Sequence, residues 1–245
     1  METITSRKNQ LIAHIRKLGS DSSYRRTSGE FVCDGEKFLQ EAVAWGAEVT
    51  AVLWCNAPTM QIDCLNYLVS NDLLDYASPL KHTPGPLFSV AIPKEKKTAG
   101  IRAIVLDGVQ DPGNVGTVIR TANAFSMDAV ILTNGCADLY NPKTIRATMG
   151  AVFRQTTLEM EPAALAEWLQ CHGLTLCGAA LSEQAMDIRN IVRENTVIAI
   201  GSEGRGLSPA VLALCQKQMI IPMNPACESL NAAIAAAVAM WEFTR

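Results

Sequence analysis

The chain carries the sequence NVGTVIRTA at residues 114–122, just after an apolar segment and a turn. Two further motifs follow: GSEGRGLS at residues 201–208, and IPM with ESLN at residues 221–223 and 228–231. Each motif stands where the hydrophobic pattern predicts the end of a strand and the start of a helix. Open α/β sheets bind ligands just beyond the carboxyl ends of their strands, so the three motifs predict a single active site.

Strands and helices alternate in the second part of the chain. Apolar runs predict strands at residues 103–107, 129–133, 152–157, 175–179, 196–200 and 219–221. Helical spacing predicts helices at residues 115–125, 142–149, 162–170, 208–214 and 229–243. This alternation indicates a largely parallel sheet that is covered by helices on both faces.

The first hundred residues predict a smaller α/β unit. The expected elements are helices at residues 4–18 and 37–45 and strands at residues 29–35 and 49–55. The segment from residue 82 to residue 100 is rich in Pro, Gly and Lys, which is typical of a linker, and contains one short predicted strand at residues 87–92. We therefore predict two domains, residues 1–98 and residues 99–245.

The charge of the chain is unevenly distributed. The 245 residues are 49% apolar, and 21 basic against 24 acidic residues give a net charge of −3. This balance argues against a uniformly basic nucleic-acid binder but permits a local basic patch. Six basic residues stand within the first 26 positions, namely Arg7, Lys8, Arg16, Lys17, Arg25 and Arg26. They form either a nucleic-acid contact or a solvated helix face.

The cysteines and histidines argue against a disulfide framework and a metal site. Eight cysteines are present without a CxxC pair, and most of them lie inside apolar runs, which favours reduced thiols in the cytoplasm. Only three histidines accompany them, so no metal is predicted. The longest apolar stretch, residues 230–241, is shorter than the roughly 20 residues that span a bilayer, so no membrane role is expected.

Each motif allows a structural explanation beside a functional one. The helix start at Asn114 has free N–H groups that favour an anion, and its alternative is a capping turn followed by a surface arginine. The glycines of residues 201–206 follow the order GxxGxG, unlike dinucleotide binders, and permit either close ligand approach or a tight loop. Ser229 is predicted to cap the last helix, whereas Asn231, a poor helix former, is expected to use its side chain elsewhere.

In order and spacing, the three motifs resemble those of SpoU/TrmH-type RNA ribose 2′-O-methyltransferases of the SPOUT class. The resemblance covers roughly residues 101–245, and GEFVCDG at residues 29–35 resembles the opening strand of the substrate-binding domain of many rRNA-directed members. It implies a knotted parallel-sheet catalytic domain with a C-terminal trefoil knot, beside a smaller N-terminal α/β substrate-binding domain. It also implies S-adenosylmethionine in the knot loops and a homodimer with a composite site.

Carried over residue by residue, the resemblance assigns roles to the motif positions. Catalysis or RNA positioning falls to Asn114, Arg120, Glu203, Ser229 and Asn231. Cofactor binding falls to Gly201, Gly204, Ile221, Met223 and Leu230. Because a guanidinium stays protonated in proteins, we interpret Arg120 as a phosphate clamp that stabilises the developing alkoxide, rather than as a base.

The sequence thus predicts an S-adenosylmethionine-dependent RNA 2′-O-methyltransferase that acts on rRNA, because the extra N-terminal domain fits the rRNA-directed branch. The basic residues near the N-terminus are the expected RNA contacts. The alternatives are a tRNA 2′-O-methyltransferase and a catalytically silent RNA-binding assembly factor of the same fold. A doubly wound nucleotide-dependent enzyme is disfavoured, because no glycine fingerprint follows the first strand of the second domain.

Overall fold

A computed structural model describes most of the chain. The described residues are 1–80, 83–93, 102–224, 226–227 and 229–245. They fall into two compact units: the N-terminal unit, Met1–Lys94 with Asp138–Phe153, and the C-terminal unit, Glu95–Ala137 with Arg154–Arg245. The predicted domain 99–245 differs from the C-terminal unit because residues Asp138–Phe153 group with the N-terminal unit.

The described residues form short strands and helices in a mixed α/β order. The strands are β1 (Glu2–Thr3), β2 (Glu30–Asp34), β3 (Val49–Trp54), β4 (Leu65–Leu68), β5 (Leu87–Ala91), β6 (Ala103–Asp107), β7 (Ala129–Leu132), β8 (Thr157–Glu159), β9 (Thr175–Ala179), β10 (Met186–Asp187), β11 (Thr196–Gly201) and β12 (Lys217–Ile220). The helices are α1 (Gln10–Ser20), α2 (Ser22–Ser28), α3 (Glu36–Ala44), α4 (Asn71–Ala77), α5 (Pro112–Ala124), α6 (Pro142–Ala147), α7 (Pro162–His172), α8 (Pro209–Leu212) and α9 (Ala232–Thr244).

The N-terminal unit contains a five-stranded sheet in the order β1-β4-β3-β5-β2. Strand β5 runs antiparallel to both of its neighbours, and the other pairs are parallel. Helix α1 places Ile12, Ile15 and Leu18 on one face, and these side chains share a buried core with Leu53 of β3 and Leu87 of β5. The helical spacing of these three apolar residues is the pattern that predicted an amphipathic helix.

Two predictions for the N-terminal unit are wrong. The helix expected from residue 4 begins only at Gln10, because the Asn9 side chain caps it by accepting a hydrogen bond from the Leu11 N–H at 2.8 Å. Ile4 instead continues the strand pairing, donating its N–H to the Leu68 carbonyl at 2.9 Å. The strand predicted at residues 87–92 is confirmed as β5, but it lies in the interior of the sheet rather than in a linker. Residues 82 and 94–100 of the predicted linker lie outside the described residues.

The C-terminal unit contains a seven-stranded sheet in the order β10-β12-β9-β11-β6-β7-β8. All of its pairs are parallel, which confirms the predicted parallel sheet. Its core joins fully buried residues of four central strands, including Val105, Ile131, Leu176 and Val197, to Leu165 of α7. The trefoil knot implied by the family resemblance stays a prediction.

One predicted strand of the second domain is wrong. Residues Ala151–Phe153 form a 3₁₀ turn, and the strand follows later, at Thr157–Glu159. The displacement has a packing cause, because the ring of Phe153 stacks on that of Phe31 with centroids 6.4 Å apart, inside the N-terminal unit. The segment Ala151–Phe153 therefore belongs to the N-terminal unit, whereas its place in the sequence suggested the parallel sheet of the second domain.

Arg25, expected to contact RNA, is buried in the N-terminal unit. Its side chain is 4% exposed, and its Nη1 donates to the Leu18 carbonyl at 2.6 Å. Its Nε and Nη2 donate to Oδ2 of Asp138 at 3.0 and 2.5 Å. Its burial and its three hydrogen bonds inside the protein do not fit the predicted RNA contact. Arg25 instead ties segment Asp138–Phe153 to helix α2.

We expect Arg25→Met to lower the free energy of unfolding by about 3–5 kcal/mol, because it leaves the half-buried Asp138 carboxylate without its cation. Urea unfolding checks this result. The control is Arg189→Met, which removes an ion pair to Asp187 from an arginine that is 65% exposed and should leave the midpoint unchanged. Equal midpoints for the two variants would show that the Arg25 ion pair does not stabilise the unit.

Candidate active site

The three sequence motifs meet in one hydrogen-bonded chain, the polar triad of Asn114, Glu203 and Asn231. Asn114 lies in the first turn of α5, Glu203 follows β11, and Asn231 precedes α9. The Asn114 Nδ2 donates to Oε1 of Glu203. The Asn231 Nδ2 donates to Oδ1 of Asn114 at 3.1 Å. Residues 117 positions apart in the sequence are thereby joined in the C-terminal unit.

Capping of helix α9 by Asn231 determines which side-chain atoms donate and which accept along the triad. Oδ1 of Asn231 accepts hydrogen bonds from the backbone N–H groups of Ala233 and Ile234 at 2.9 and 3.2 Å. Its Nδ2 is therefore the end that faces Asn114, which must present its own Oδ1 and keep Nδ2 for Glu203. The prediction that Ser229 caps α9 is wrong, because Asn231 is the N-cap. The expectation that Asn231 uses its side chain outside the helix is confirmed.

A cavity of about 560 Å³ opens beside Glu203, within the C-terminal unit. Its lining includes all five residues predicted to bind a cofactor, which are Gly201, Gly204, Ile221, Met223 and Leu230. Glu203 and Ser229 line it as well. The cavity also uses Ala180 and Leu181, which follow β9 and which the sequence reasoning missed. Their position just after a strand end, next to two strands that carry motifs, is the signal that could have found them.

Residues 201–206, the glycine loop, close on themselves through backbone hydrogen bonds. Ser202 and Gly206 exchange two backbone hydrogen bonds, of 3.1 and 2.9 Å, and Gly206 has a φ of +64°. A Cβ at Gly201 would lie 2.1 Å from the Gly206 carbonyl carbon. Tight chain packing thus explains Gly201 and Gly206, whereas a Cβ at Gly204 would meet no atom within 4 Å. The alternative of a tight loop accounts for two of the three glycines.

A buried carboxylate joins the strand ends next to this loop. Asp107, the last residue of β6, is 3% exposed and pairs in register with Gly201 of β11. It accepts a hydrogen bond from the Ser208 N–H at 2.5 Å and another from the Thr133 hydroxyl. Ser208 in turn caps α8. Asp107 therefore holds the end of the glycine loop against the sheet, a role that no sequence motif marked.

Several thiols in this unit have a pKa too high for them to act as nucleophiles at neutral pH. Burial raises the pKa of Cys136 and of Cys177 to about 11. Burial, with the nearby Cys177 and Asp107, raises the pKa of Cys215 to about 12. These three groups are protonated at neutral pH and are therefore poor nucleophiles.

Arg120 stands apart from the triad. It lies six residues beyond Asn114 on α5, which places it about 9 Å along the helix axis and about 120° around it. The side chain is exposed and does not line the cavity. Its guanidinium makes no hydrogen bond or ion pair with any residue that the structure describes. Glu228, which belongs to the third motif, lies outside the described residues.

Comparison with known proteins identifies the family. The model of the SpoU rRNA methylase family matches residues 102–241. The chain belongs to this family. It is 30% identical to the 23S rRNA (guanosine(2553)-2′-O)-methyltransferase RlmP of Bacillus subtilis, over 98% of each chain. It is 26% identical to the 23S rRNA (uridine(2479)-2′-O)-methyltransferase of Streptomyces viridochromogenes, over 99% of this chain and 91% of that one.

A solved SpoU methyltransferase shares the fold along nearly the whole chain. The crystal structure of AviRb from Streptomyces viridochromogenes superposes with a TM-score of 0.87 and 25% identity, covering 97% of each chain. The structure of AviRb in complex with the cofactor AdoMet gives the same TM-score at 24% identity. The predicted SpoU fold is therefore confirmed.

The described part of the chain offers neither a membrane-spanning helix nor a cluster of metal ligands. None of its helices is long and apolar enough to cross a membrane. The same residues contain no group of three or more His, Cys, Asp or Glu side chains placed to hold a metal ion.

Proposed function

We propose that this chain transfers a methyl group from S-adenosylmethionine to a ribose 2′-hydroxyl of ribosomal RNA in the cytoplasm. The observation that carries the proposal is the polar triad, in which three motifs distant in sequence converge beside a cavity of cofactor size. The family supports the reaction class. The two relatives named as 23S rRNA 2′-O-methyltransferases support the substrate, because each aligns with almost all of this chain, including its N-terminal unit.

The lining of the cavity fits S-adenosylmethionine. Its volume of about 560 Å³ lies within the roughly 300–1,000 Å³ that is usual for small-molecule sites. Ile221 and Leu230 offer apolar walls for the flat adenine ring, while Glu203 and Arg205 offer charges opposite to those of the cofactor's sulfonium and carboxylate. When bound, the cofactor supplies a methyl group on a positively charged sulfur atom.

The triad positions the ribose. The reaction forms an O–C bond at the 2′-oxygen, breaks the C–S bond of the cofactor and releases the hydroxyl proton. Because Glu203 uses Oε1 to accept the Asn114 amide, its Oε2 can accept the 2′-hydroxyl proton and orient an oxygen lone pair. Asn114 and Asn231 hold that carboxylate in place, and proper orientation is a large part of the catalysis of such bimolecular steps.

A homodimer completes the site. Three apolar residues of α9 recur at helical spacing and are exposed in the single chain, namely Ile234 (53%), Val238 (38%) and Trp241 (57%). Helix α9 packs beside α5, and the Trp241 ring lies 5.6 Å from that of Phe125. This apolar stripe suits a second copy of the chain. Arg120, on the exposed face of α5, would then clamp a phosphate at the triad of the partner subunit.

We expect Trp241→Glu to convert the dimer to monomers and to lower methyl transfer at least about 100-fold, because it places a charge in the apolar stripe. Light scattering and transfer rates check this result. Trp45→Glu is the control, since Trp45 is 58% exposed in the N-terminal unit. A dimer that survives Trp241→Glu would refute this interface.

Mixed dimers test the composite site. An Asn231→Asp chain mixed with an Arg120→Ala chain should regain about one quarter of wild-type activity, because half the dimers are mixed and carry one intact site of two. A site built within one chain would regain nothing.

Methyl transfer itself tests the proposed function. Labelled S-adenosylmethionine and rRNA from cells that lack this protein are incubated with the chain, and digested nucleosides are identified by mass spectrometry. We expect a 2′-O-methyl nucleoside from rRNA. Label found only in tRNA would move the substrate to the tRNA alternative, and no transfer to any RNA would favour the silent assembly factor. The two relatives are named for different nucleosides, guanosine and uridine, so the proposal names no nucleoside for this chain.

A further inference from the structure

A basic cleft lies in the N-terminal unit, and none of its lining residues belongs to the C-terminal site. It has a volume of about 500 Å³ and is lined by Arg7, Arg16, Lys17, Ser20, Tyr76 and Pro79, among others. The guanidinium carbons of Arg7 and Arg16 lie 4.6 and 4.3 Å from the centroid of the Tyr76 ring. Arg16 also donates from Nη1 to the Tyr76 hydroxyl at 2.6 Å. Tyr76 of α4 thus contacts two arginines, one that precedes α1 and one within α1.

Lys17 adds a third cation to this cleft. Its Nζ lies 4.8 Å from the centroid of the Tyr24 ring. Attraction to an aromatic face orients a cation without neutralising its charge. The two tyrosine rings therefore contact three positive side chains while leaving their charges available to a ligand.

These three cations lack a carboxylate partner among the described residues. Arg25 and Arg193, by contrast, each form an ion pair with an acidic side chain, Asp138 and Glu242 respectively. No such ion pair reaches Arg7, Arg16 or Lys17 from any acid in the part of the chain that the structure describes. Gathering like charges without acids is unfavourable in the free protein, so the arrangement favours an anionic ligand.

We propose that this cleft binds a phosphodiester of the RNA substrate and so anchors the RNA on the N-terminal unit. This inference rests on the proposed function, which makes RNA the polyanion that the enzyme must hold. Two guanidiniums and an ammonium match phosphate oxygens as charge-assisted donors. The net charge of the whole chain is −3, so a polyanion is attracted by such local clusters rather than by the general field of the protein.

Salt-dependent binding tests this proposal. The double variant Arg16→Gln/Lys17→Gln is compared with wild type for affinity to transcribed 23S rRNA, by filter binding in the absence of cofactor. We expect the Kd to rise about tenfold and the slope of log Kd against log salt to fall by about 0.7, the value for one lost phosphate contact on single-stranded RNA. Lys37→Gln is the matched control, because Lys37 is exposed in the same unit and lies outside the cleft. Its Kd and slope should equal those of wild type.

Tyr76 provides a second test that does not change the charge. Tyr76→Phe keeps the ring and should bind RNA within about twofold of wild type, whereas Tyr76→Leu releases both guanidiniums and should weaken binding about fivefold. Thermal unfolding of both variants shows whether each is folded. If Tyr76→Leu is folded and binds like Tyr76→Phe, the ring does not organise the cleft and the proposal is overturned.

The outcomes separate this inference from the proposed function. If the double variant and Lys37→Gln bind RNA alike while the wild-type enzyme methylates rRNA, the cleft proposal fails and the methyltransferase stands. If wild type binds RNA through the cleft but transfers no methyl group, the reverse holds. If inorganic phosphate binds to wild type but not to the double variant, while both proteins bind RNA with equal affinity, the cleft holds free phosphate and the proposal is overturned.

Discussion

Replacing Asn231 with aspartate is expected to lower methyl transfer at least about 100-fold and to leave cofactor affinity within about threefold of wild type. Aspartate retains the acceptor that caps α9 at the N–H groups of Ala233 and Ile234. It lacks the donor that Asn231 offers to Oδ1 of Asn114. Asn114 must then turn its Nδ2 toward residue 231 and release Glu203. Single-turnover rates and calorimetric cofactor binding separate the two effects.

Asn141→Asp is the matched control for this change. Asn141 caps α6 in the same way, with its Oδ1 accepting from the Lys143 N–H at 2.9 Å, and it belongs to the N-terminal unit. The same substitution there should leave the rate unchanged. Near-normal transfer by Asn231→Asp would mean that Asn231 serves only as a helix cap.

Gly201→Ala is expected to weaken S-adenosylmethionine binding at least about 100-fold, a loss of about 2.7 kcal/mol. The new Cβ would lie 2.1 to 2.3 Å from three backbone atoms, the carbonyl carbon and oxygen of Gly206 and the amide nitrogen of Leu207. Backbone atoms cannot move aside as a side-chain tip can, so the loop must open. Calorimetric titration with the cofactor measures the loss.

Gly204→Ala is the comparison for the loop. It lines the same cavity, but its Cβ would meet no atom within 4 Å. We expect less than about a tenfold loss of affinity, from contact with the cofactor alone. Equal losses for the two variants would contradict the role of loop closure at Gly201.

The sequence could predict the parts of the site that follow strand ends. β6, β11 and β12 each lead into a motif, and the neighbouring carboxyl ends of parallel strands bring such motifs to one edge of a sheet. The pairing of Asn231 with Asn114 could not be read from spacing, because it depends on the packing of α9 beside α5. Asp107 was missed for a similar reason, since a buried carboxylate is recognised only from the donors that surround it.

The N-terminal unit shows where local composition misleads. The Pro, Gly and Lys around β5 indicated a linker, yet Leu87 and Phe88 are fully buried between two neighbouring strands. Arg25 and Arg16 look alike in the sequence. Arg25, however, forms an ion pair with Asp138, whereas Arg16 packs against the ring of Tyr76. Which arginine faces solvent is decided by residues more than fifty positions away, so charge patterning alone could not separate them.

The most direct test of the account is a nucleotide-resolution map of 2′-O-methylation in rRNA. The map is compared for cells that lack the protein and for the same cells supplied with the wild-type chain or with the Asn231→Asp chain. We predict that one ribose loses its methyl group in the deletion strain, regains it with the wild-type chain and stays unmethylated with the variant. An rRNA map that is identical in all three strains would contradict the proposed function.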